Sequence, residues 1–229
     1  MEGSAARIAV REFPRISVTK LGEYLTASAG RRRKIVEDQK HPPTFQIARY
    51  TEAERAIVSF LVDRDLAALE ASSLRLSRLP ARSEFDAERR QLCVEAIEAF
   101  QDVLEVLPLD EARATEAPTS APYLVVAGVD VSVRPELTVA RSGRGGARVG
   151  CIKLYFSKNH PLDEKAGAYV STLLALFAQE HVSGTADDEL LLTVDVFGGK
   201  VFCAPKARVK RLEDIRAACE EISVRWDSV

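Results

Sequence analysis

The chain is poor in the side chains that build disulfide frameworks and zinc sites. Its 229 residues include four cysteines and three histidines. The cysteines form no C-x-x-C pair and the histidines are scattered, so a zinc site is not indicated. Disulfides are rare in a reducing cytosol. We therefore expect Cys93, Cys151, Cys203 and Cys219 to be the reduced thiols of a cytoplasmic protein.

Long apolar runs are missing too. No window approaches the roughly 18 apolar residues of a membrane-spanning helix. The N-terminal segment "MEGSAARIAVREFPRIS" carries charges between its apolar positions, and it lacks the continuous apolar core of a signal peptide. These absences predict a soluble protein in the cytoplasm, without a membrane partner.

Several catalytic signatures are also absent. The sequence has no G-x-S-x-G nucleophile elbow, and no G-x-G-x-x-G follows a predicted strand. The glycine-rich stretch "SGRGGA" lacks the G-K-[ST] ending of a P-loop. Cys151 has no histidine at motif spacing, although a thiol nucleophile needs a partner base. Serine and cysteine hydrolases, P-loop enzymes and dinucleotide-dependent enzymes are therefore not indicated.

A strong excess of either charge is missing, because 32 basic and 34 acidic residues leave a formal net charge of -2. Any nucleic-acid site must therefore be a local patch. Basic residues do concentrate between positions 130 and 158, and two further clusters are "GRRRK" (30–34) and "PKARVKR" (205–211). The first of these two also fits a solvated helix face, because acids follow within a turn. The predicted nucleic-acid contacts are Arg134, Arg144, Arg148 and Lys158.

The first half of the chain, residues 1–109, has helical periodicity. Thr51 and Glu54 have the spacing of a capping box, and Asp63–Asp65 predicts a break between two helices. Ser83 is the expected cap of a helix whose apolar stripe starts at Phe85 and whose end is set by Pro108. Residues 110–122, "DEARATEAPTSAP", are predicted to be a loop or linker.

The second half, residues 123–229, begins with alternation typical of strands. In "YLVVAGVDVSVRPELTV" the odd-numbered positions from Val125 to Leu137 are apolar. Asp130 and Glu136 both have even numbers and would lie on the other face of a strand. A glycine-rich turn and the strand "GCIKLYFSK" follow, then a helix, a hairpin at Gly198-Gly199 and a last helix. We predict an α+β fold, in which a helical N-terminal half is followed by a mixed central sheet flanked by helices.

Residues 123–206 resemble the PD-(D/E)XK nuclease superfamily, in particular its RecB-like branch. In that family an acid on one strand precedes a (D/E)-x-K tripeptide on the next strand, and a helix with a Q-x-x-x-Y signature follows. Asp130 in "GVDVSV" stands at the position of the first acid, with Glu136 in "RPEL" as an alternative or additional ligand. Lys153 in "CIK" matches the lysine, and Tyr169 in "KAGAY" matches the tyrosine.

The resemblance implies a restriction-endonuclease-like fold and a Mg²⁺ ion held by Asp130 and Glu136, because magnesium prefers oxygen ligands. It also implies that Lys153 faces the scissile phosphate and stabilises its charge. The chain departs from the pattern at Cys151, which replaces the acid of the tripeptide, and at Lys165, which replaces the glutamine. Glu164 is a further carboxylate that could complete the site.

Two functions of different classes follow. In the first, the protein acts on DNA or RNA, either as a metal-dependent nuclease with Asp130, Glu136 and Lys153 as catalytic residues or as an inactive binder. In the second, it is a non-enzymatic interaction subunit whose helical N-terminal half docks a protein partner. Asp130 and Lys153 also fit the solvated face of a sheet, and Asp195 fits either a polar residue near a turn or a third acid.

Overall fold

The computed structural model describes residues 10–42, 49–109, 111–143 and 145–229. The helices in these ranges are α1 (Val18–Thr26), α2 (Ala29–Lys40), α3 (Thr51–Asp63), α4 (Leu66–Arg78), α5 (Glu84–Val103), α6 (Glu164–His181) and α7 (Val209–Trp226). The strands are β1 (Arg15–Ser17), β2 (Arg113–Glu116), β3 (Leu124–Val126), β4 (Val129–Ser132), β5 (Leu137–Gly143), β6 (Gly146–Tyr155), β7 (Thr185–Asp195) and β8 (Lys200–Cys203).

The strands form two sheets. The larger has the order β2-β5-β6-β7-β8, in which only β6 and β7 are parallel neighbours, joined by α6 as a crossover helix. The smaller has the order β1-β4-β3, with β1 parallel to β4. The prediction of an α+β fold with a helical first half and a mixed sheet flanked by helices is confirmed. In the described ranges, no helix combines the length and apolarity needed to cross a membrane.

The large sheet is covered on both faces. One apolar layer joins it to α3, α4 and α5, and the other joins it to α1, α2, α6, α7 and the small sheet. The side chains of β6 divide between the two layers, since Cys151 lies in one while Ile152 and Leu154 lie in the other. The helices of the first half therefore share the core of the second half, because each can bury its apolar stripe only against the sheet.

Several helix boundaries agree with the sequence pattern. The Ser83 hydroxyl accepts a hydrogen bond from the Asp86 N–H at 3.1 Å and caps α5. The break at 63–65 is confirmed, because Arg64 takes a left-handed conformation and Asp65 caps α4. The cap of α3 differs, since it falls at Tyr50 rather than Thr51. Helix α5 ends at Val103, and a 3-10 turn follows before Pro108. Phe85, where the apolar stripe of this helix was expected to start, is 45% exposed.

Two parts of the chain differ from the sequence pattern. Part of the expected loop or linker, Arg113–Glu116, is β2 and pairs antiparallel with β5 at the sheet edge. The alternating stretch from 123 to 140 contains β3, β4 and the start of β5. Ala127 and Gly128 both have positive φ and turn the chain back as a two-residue hairpin. The hairpin reverses the expected facing of β3, so Val125 is 70% exposed and Leu124 is 2% exposed.

Candidate functional site

Lys153 and Glu136 meet where β5 begins beside β6. The Glu136 N–H donates to the Ile152 carbonyl at 2.9 Å, which places Glu136 opposite Lys153. The Lys153 ammonium forms an ion pair with the Glu136 carboxylate, and the second carboxylate oxygen accepts from the Leu154 N–H at 2.5 Å. The two side chains are only 15% and 10% exposed. The structure therefore brings these two predicted residues together.

A strained turn holds the ammonium in place. Arg134 has a φ of 40°, a conformation that non-glycine residues rarely adopt. It lies where the chain leaves β4 of the small sheet and approaches β5 of the large one. Its carbonyl accepts a hydrogen bond from Lys153 Nζ at 2.9 Å. Backbone strain of this kind persists only where the surroundings fix it, and here its result is a second acceptor for the lysine.

The pair lies in a cleft of about 510 Å³ between α3 and the edge of the large sheet. Helix α3 contributes Glu54 to the cleft wall. Burial raises the pKa of the Glu54 carboxyl, and the negative charge of Glu136 raises it further while Lys153 acts in the opposite direction. The cleft therefore brings two carboxylates and one ammonium into mutual electrostatic range. We refer to Glu54, Glu136 and Lys153 as the cleft triad.

Glu54 was missed as a site residue because its spacing from Thr51 suggested a cap. One signal was present in the sequence. Val58 stands at i+4 from Glu54 and is part of the inward stripe of α3, with 8% of its surface exposed. Residues at i and i+4 lie on one face of a helix. An acid in line with an apolar stripe marks a carboxylate aimed toward the protein rather than toward water.

Asp130 belongs to a different surface. It lies on β4 of the small sheet, beside Arg15 of β1 and Val125 of β3. Asp130 and Glu136 share a parity in the sequence but not a strand, because β4 ends at Ser132 and the chain crosses to the other sheet. Asp130 is not among the residues that line the cleft. The predicted ligand pair of Asp130 and Glu136 is therefore not assembled in one place.

Cys151 occupies a core position. Its side chain is fully buried, and burial raises the pKa of the thiol to about 12. It lies in the apolar layer that also contains α1, α6 and α7. An acid at this position would enter the hydrophobic core, so the replacement of the family's acid by cysteine fits the packing of β6. A neutral, buried thiol is also a poor ligand for a hard cation.

The other candidates from the sequence have structural partners. The Tyr169 hydroxyl donates to the Asp214 carboxylate at 2.7 Å. Asp195 is fully buried and accepts from the Leu162 and Gly198 N–H groups at 2.7 and 2.9 Å. It thereby closes the β7–β8 turn and fixes the loop before α6. Glu164 is 81% exposed and lies 3.4 Å from Lys200.

Most basic residues of the predicted clusters are neutralised by acids. In α2, Arg31 pairs with Glu23 and Lys34 with Glu37 and Asp38. This pairing agrees with the interpretation of that cluster as a solvated helix face. The wider set of pairs is Arg32–Glu221, Arg141–Asp187, Arg141–Glu189, Lys158–Glu95 and Arg208–Asp188.

Three of the predicted nucleic-acid contacts differ in their surroundings. Arg134 is exposed and lines the cleft. Arg148 is exposed on the β5–β6 hairpin, opposite Arg141. Lys158 is paired with Glu95 at 2.5 Å, and its ammonium also lies 5.7 Å from the centre of the Phe197 ring. Arg144 lies outside the described residues. Only Arg134 therefore adjoins the cleft triad.

No family model and no curated protein matches the chain. The function is accordingly inferred from the cleft and the charges around it.

Proposed function

We propose that this protein acts on nucleic acid and hydrolyses phosphodiester bonds in the cleft, with a restriction-endonuclease-like arrangement of its sheet. The observation that carries the proposal is the ion pair between Lys153 of β6 and Glu136, the residue directly before β5, with Glu54 of α3 in electrostatic range. Two carboxylates and a lysine in one cleft provide ligands for a hard cation and a charge for a phosphate.

In this proposal Glu54 and Glu136 would hold a Mg²⁺ ion. Magnesium keeps several waters and binds proteins through one or two carboxylates together with phosphate oxygens. The raised pKa of Glu54 shows that its charged form is disfavoured by burial and by Glu136. A divalent cation between the two carboxylates would offset both effects. When bound, such an ion polarises the phosphate and activates water.

Lys153 would bind and stabilise the phosphate directly. An ammonium group has three N–H donors, and the acceptors found for it are the Glu136 carboxylate and the Arg134 carbonyl. The third donor is available for a phosphate oxygen in the cleft. The Lys153 side chain is only 15% exposed to solvent. A charge with so little solvent around it acts more strongly on its ligand than a charge in water.

A cleavage assay tests this proposal. Single- and double-stranded DNA and RNA are incubated with the protein and Mg²⁺, and the products are separated by electrophoresis. We expect cleavage that requires Mg²⁺ and that falls by about 100-fold or more in Lys153→Ala and in Glu54→Gln, as is typical when one charge-stabilising group is lost.

The exposed pair of Lys200 and Glu164 supplies matched controls, because its side chains are 51% and 81% exposed. Lys200→Ala and Glu164→Gln should cleave at the wild-type rate. Absence of Mg²⁺-dependent cleavage from all four substrates, or equal rates in the cleft variants and the controls, would contradict the proposal. If the protein also failed to bind nucleic acid at low salt, the interaction-subunit hypothesis would replace it.

A further inference from the structure

A second cluster of cations lies beside the cleft, on the small sheet and the segment that leads into it. It contains Arg11, Arg15 and Arg134, with the aromatic residues Phe13 and Tyr123, and we call it the arginine patch. None of its three arginines takes part in an ion pair of the described residues. The patch differs in this respect from Arg31, Arg32 and Lys34 of α2, which all pair with acids.

Arg15 has an acid beside it and does not pair with it. Its strand partner in β4 is Asp130, yet the Arg15 guanidinium lies over the Tyr123 ring, 4.6 Å from its centre. A guanidinium over an aromatic ring makes a cation–π contact that uses none of its N–H donors. Because Arg15 forms no ion pair with the described residues, we expect its donors to be available to an incoming anion.

Arg11 is held at a fixed position by the rest of the fold. Its guanidinium donates to the Gln39 carbonyl at 3.0 Å, and its own carbonyl accepts from the Trp226 indole at 3.3 Å. Burial lowers the pKa of Arg11, and the nearby charges of Arg15 and Arg134 lower it further. Three cations thus repel one another at a site where an anion would relieve the repulsion.

The patch also offers aromatic surface. Phe13 is 74% exposed although it lies in an ordered segment between Arg11 and Arg15. Tyr123 is half-buried and has Arg15 over its ring. Proteins that bind single strands combine cations along the backbone with aromatic side chains on which unpaired bases stack. In duplex nucleic acid the bases are already stacked and paired, so exposed aromatic rings of this kind favour a single strand.

Arg134 connects the patch to the cleft. Its side chain lies close enough to Arg11 to affect that group electrostatically, and its carbonyl binds the ammonium of Lys153. Arg134 also lines the cleft itself. A strand whose phosphates contact Arg11 and Arg15 could therefore continue past Arg134 toward the cleft triad.

We propose that the arginine patch binds single-stranded nucleic acid, with Arg11, Arg15 and Arg134 on backbone phosphates and Phe13 against an unpaired base. The inference rests on the proposed function, because the bound strand is the substrate of the cleft. It assigns the substrate class and the path of the strand across the small sheet. The β5–β6 hairpin, where Arg148 lies, is not part of that path.

The test is a binding experiment without metal. Fluorescein-labelled 12-nucleotide single strands of DNA and RNA, and a duplex of the same length, are titrated in EDTA at several salt concentrations, and anisotropy is measured. Single strands should bind more tightly than the duplex. The double variant Arg15→Gln/Arg134→Gln should bind more weakly and reduce the magnitude of the salt slope by about 1.4, since each phosphate contact on a single strand contributes about 0.7.

Phe13→Ala should weaken single-strand binding by about 5- to 150-fold, the range for one stacked base, while the salt slope stays unchanged. Phe13 is so exposed that this variant should fold normally. Phe85→Ala is its matched control on α5, with 45% exposure, and Arg33→Gln of α2 is the control for charge. Both controls should bind as wild type does.

The inference is overturned if wild type binds no single strand at low salt, or if Phe13→Ala and the double arginine variant bind like the controls. Equal affinity for the duplex would overturn it as well. Patch-dependent binding without any Mg²⁺-dependent cleavage would support the inference and refute the catalytic proposal. Cleavage that depends on Lys153, together with wild-type binding by the patch variants, would support the catalytic proposal and overturn the inference about the patch.

Discussion

Removal of the Lys153 ammonium should destabilise the protein markedly. In Lys153→Met, the carboxylate of Glu136 stays at a position that is 10% exposed and loses its countercharge. Breaking a buried pair in this way costs about 3–5 kcal/mol of unfolding free energy. We expect about 3 kcal/mol, at the low end, because the Leu154 N–H still donates to the same carboxylate.

The double variant Lys153→Met/Glu136→Gln should recover part of this loss. A glutamine side chain keeps an acceptor oxygen for the Leu154 N–H but carries no charge that needs a partner. Replacing both members of a buried pair is far less costly than removing one. The coupling between the two substitutions should therefore be about 1–3 kcal/mol, the range for residues in direct contact.

Guanidinium denaturation followed by fluorescence measures these differences, because Trp226 is the single tryptophan and is 1% exposed. In a chain of this size, 3 kcal/mol corresponds to a fall in Tm of about 6–12 °C. The exposed pair gives the control: Lys200→Met should change stability by less than about 0.5 kcal/mol. A loss below about 1 kcal/mol in Lys153→Met, or strict additivity in the double variant, would show that the pair is solvated and the reasoning wrong.

Two further changes test the surroundings of the cleft. Burial raises the pKa of Glu54 above its ordinary 4.5, so ionisation of this carboxyl opposes folding. Glu54→Gln should therefore stabilise the protein at pH 7. This gain in stability should disappear as the pH falls through the raised pKa and below about 4.5, where the carboxyl is protonated in both the folded and the unfolded state. A pH-independent gain in Tm would contradict that account. Cys151→Asp restores the acid of the family pattern but places it in the core, so we expect a loss of several kcal/mol and no rise in Tm on adding Mg²⁺; a Mg²⁺-dependent rise would show that the position can reach the cleft.

The sequence predicted the elements whose signals are local. Ser83 and Asp65 supply their own cap bonds, and the alternation of β6 and the stripe of α6 follow from burial. The small sheet was not predicted, because Ala127 and Gly128 reverse the chain without the usual Asn-Gly or Asp-Gly signal. Strand β2 was missed since only Ala114 of its four residues is buried, which leaves almost no apolar alternation to detect.

The site was predicted in part for similar reasons. Glu136 directly precedes β5 and its N–H donates to the Ile152 carbonyl of β6, so a strand pattern with the correct register brings it to Lys153. Asp130 shares the parity of Glu136 along the chain, but parity has meaning only within one strand, and the turn at Arg134 moves the chain between sheets. Glu54 approaches from α3 through packing of the helix on the sheet edge, a contact that no local spacing encodes.

The small sheet gives the arginine patch dynamics different from those of the cleft. Strand β1 has three residues and pairs with β4, which lies more than half the chain away. Contacts of such long sequence separation form late in folding because the loop must close first. A short strand with few backbone bonds also opens at lower free energy than a central strand. Local opening of β1 would therefore disturb Arg15 while Glu136 and Lys153 stay paired, so binding of a strand could be lost without loss of the ion pair in the cleft.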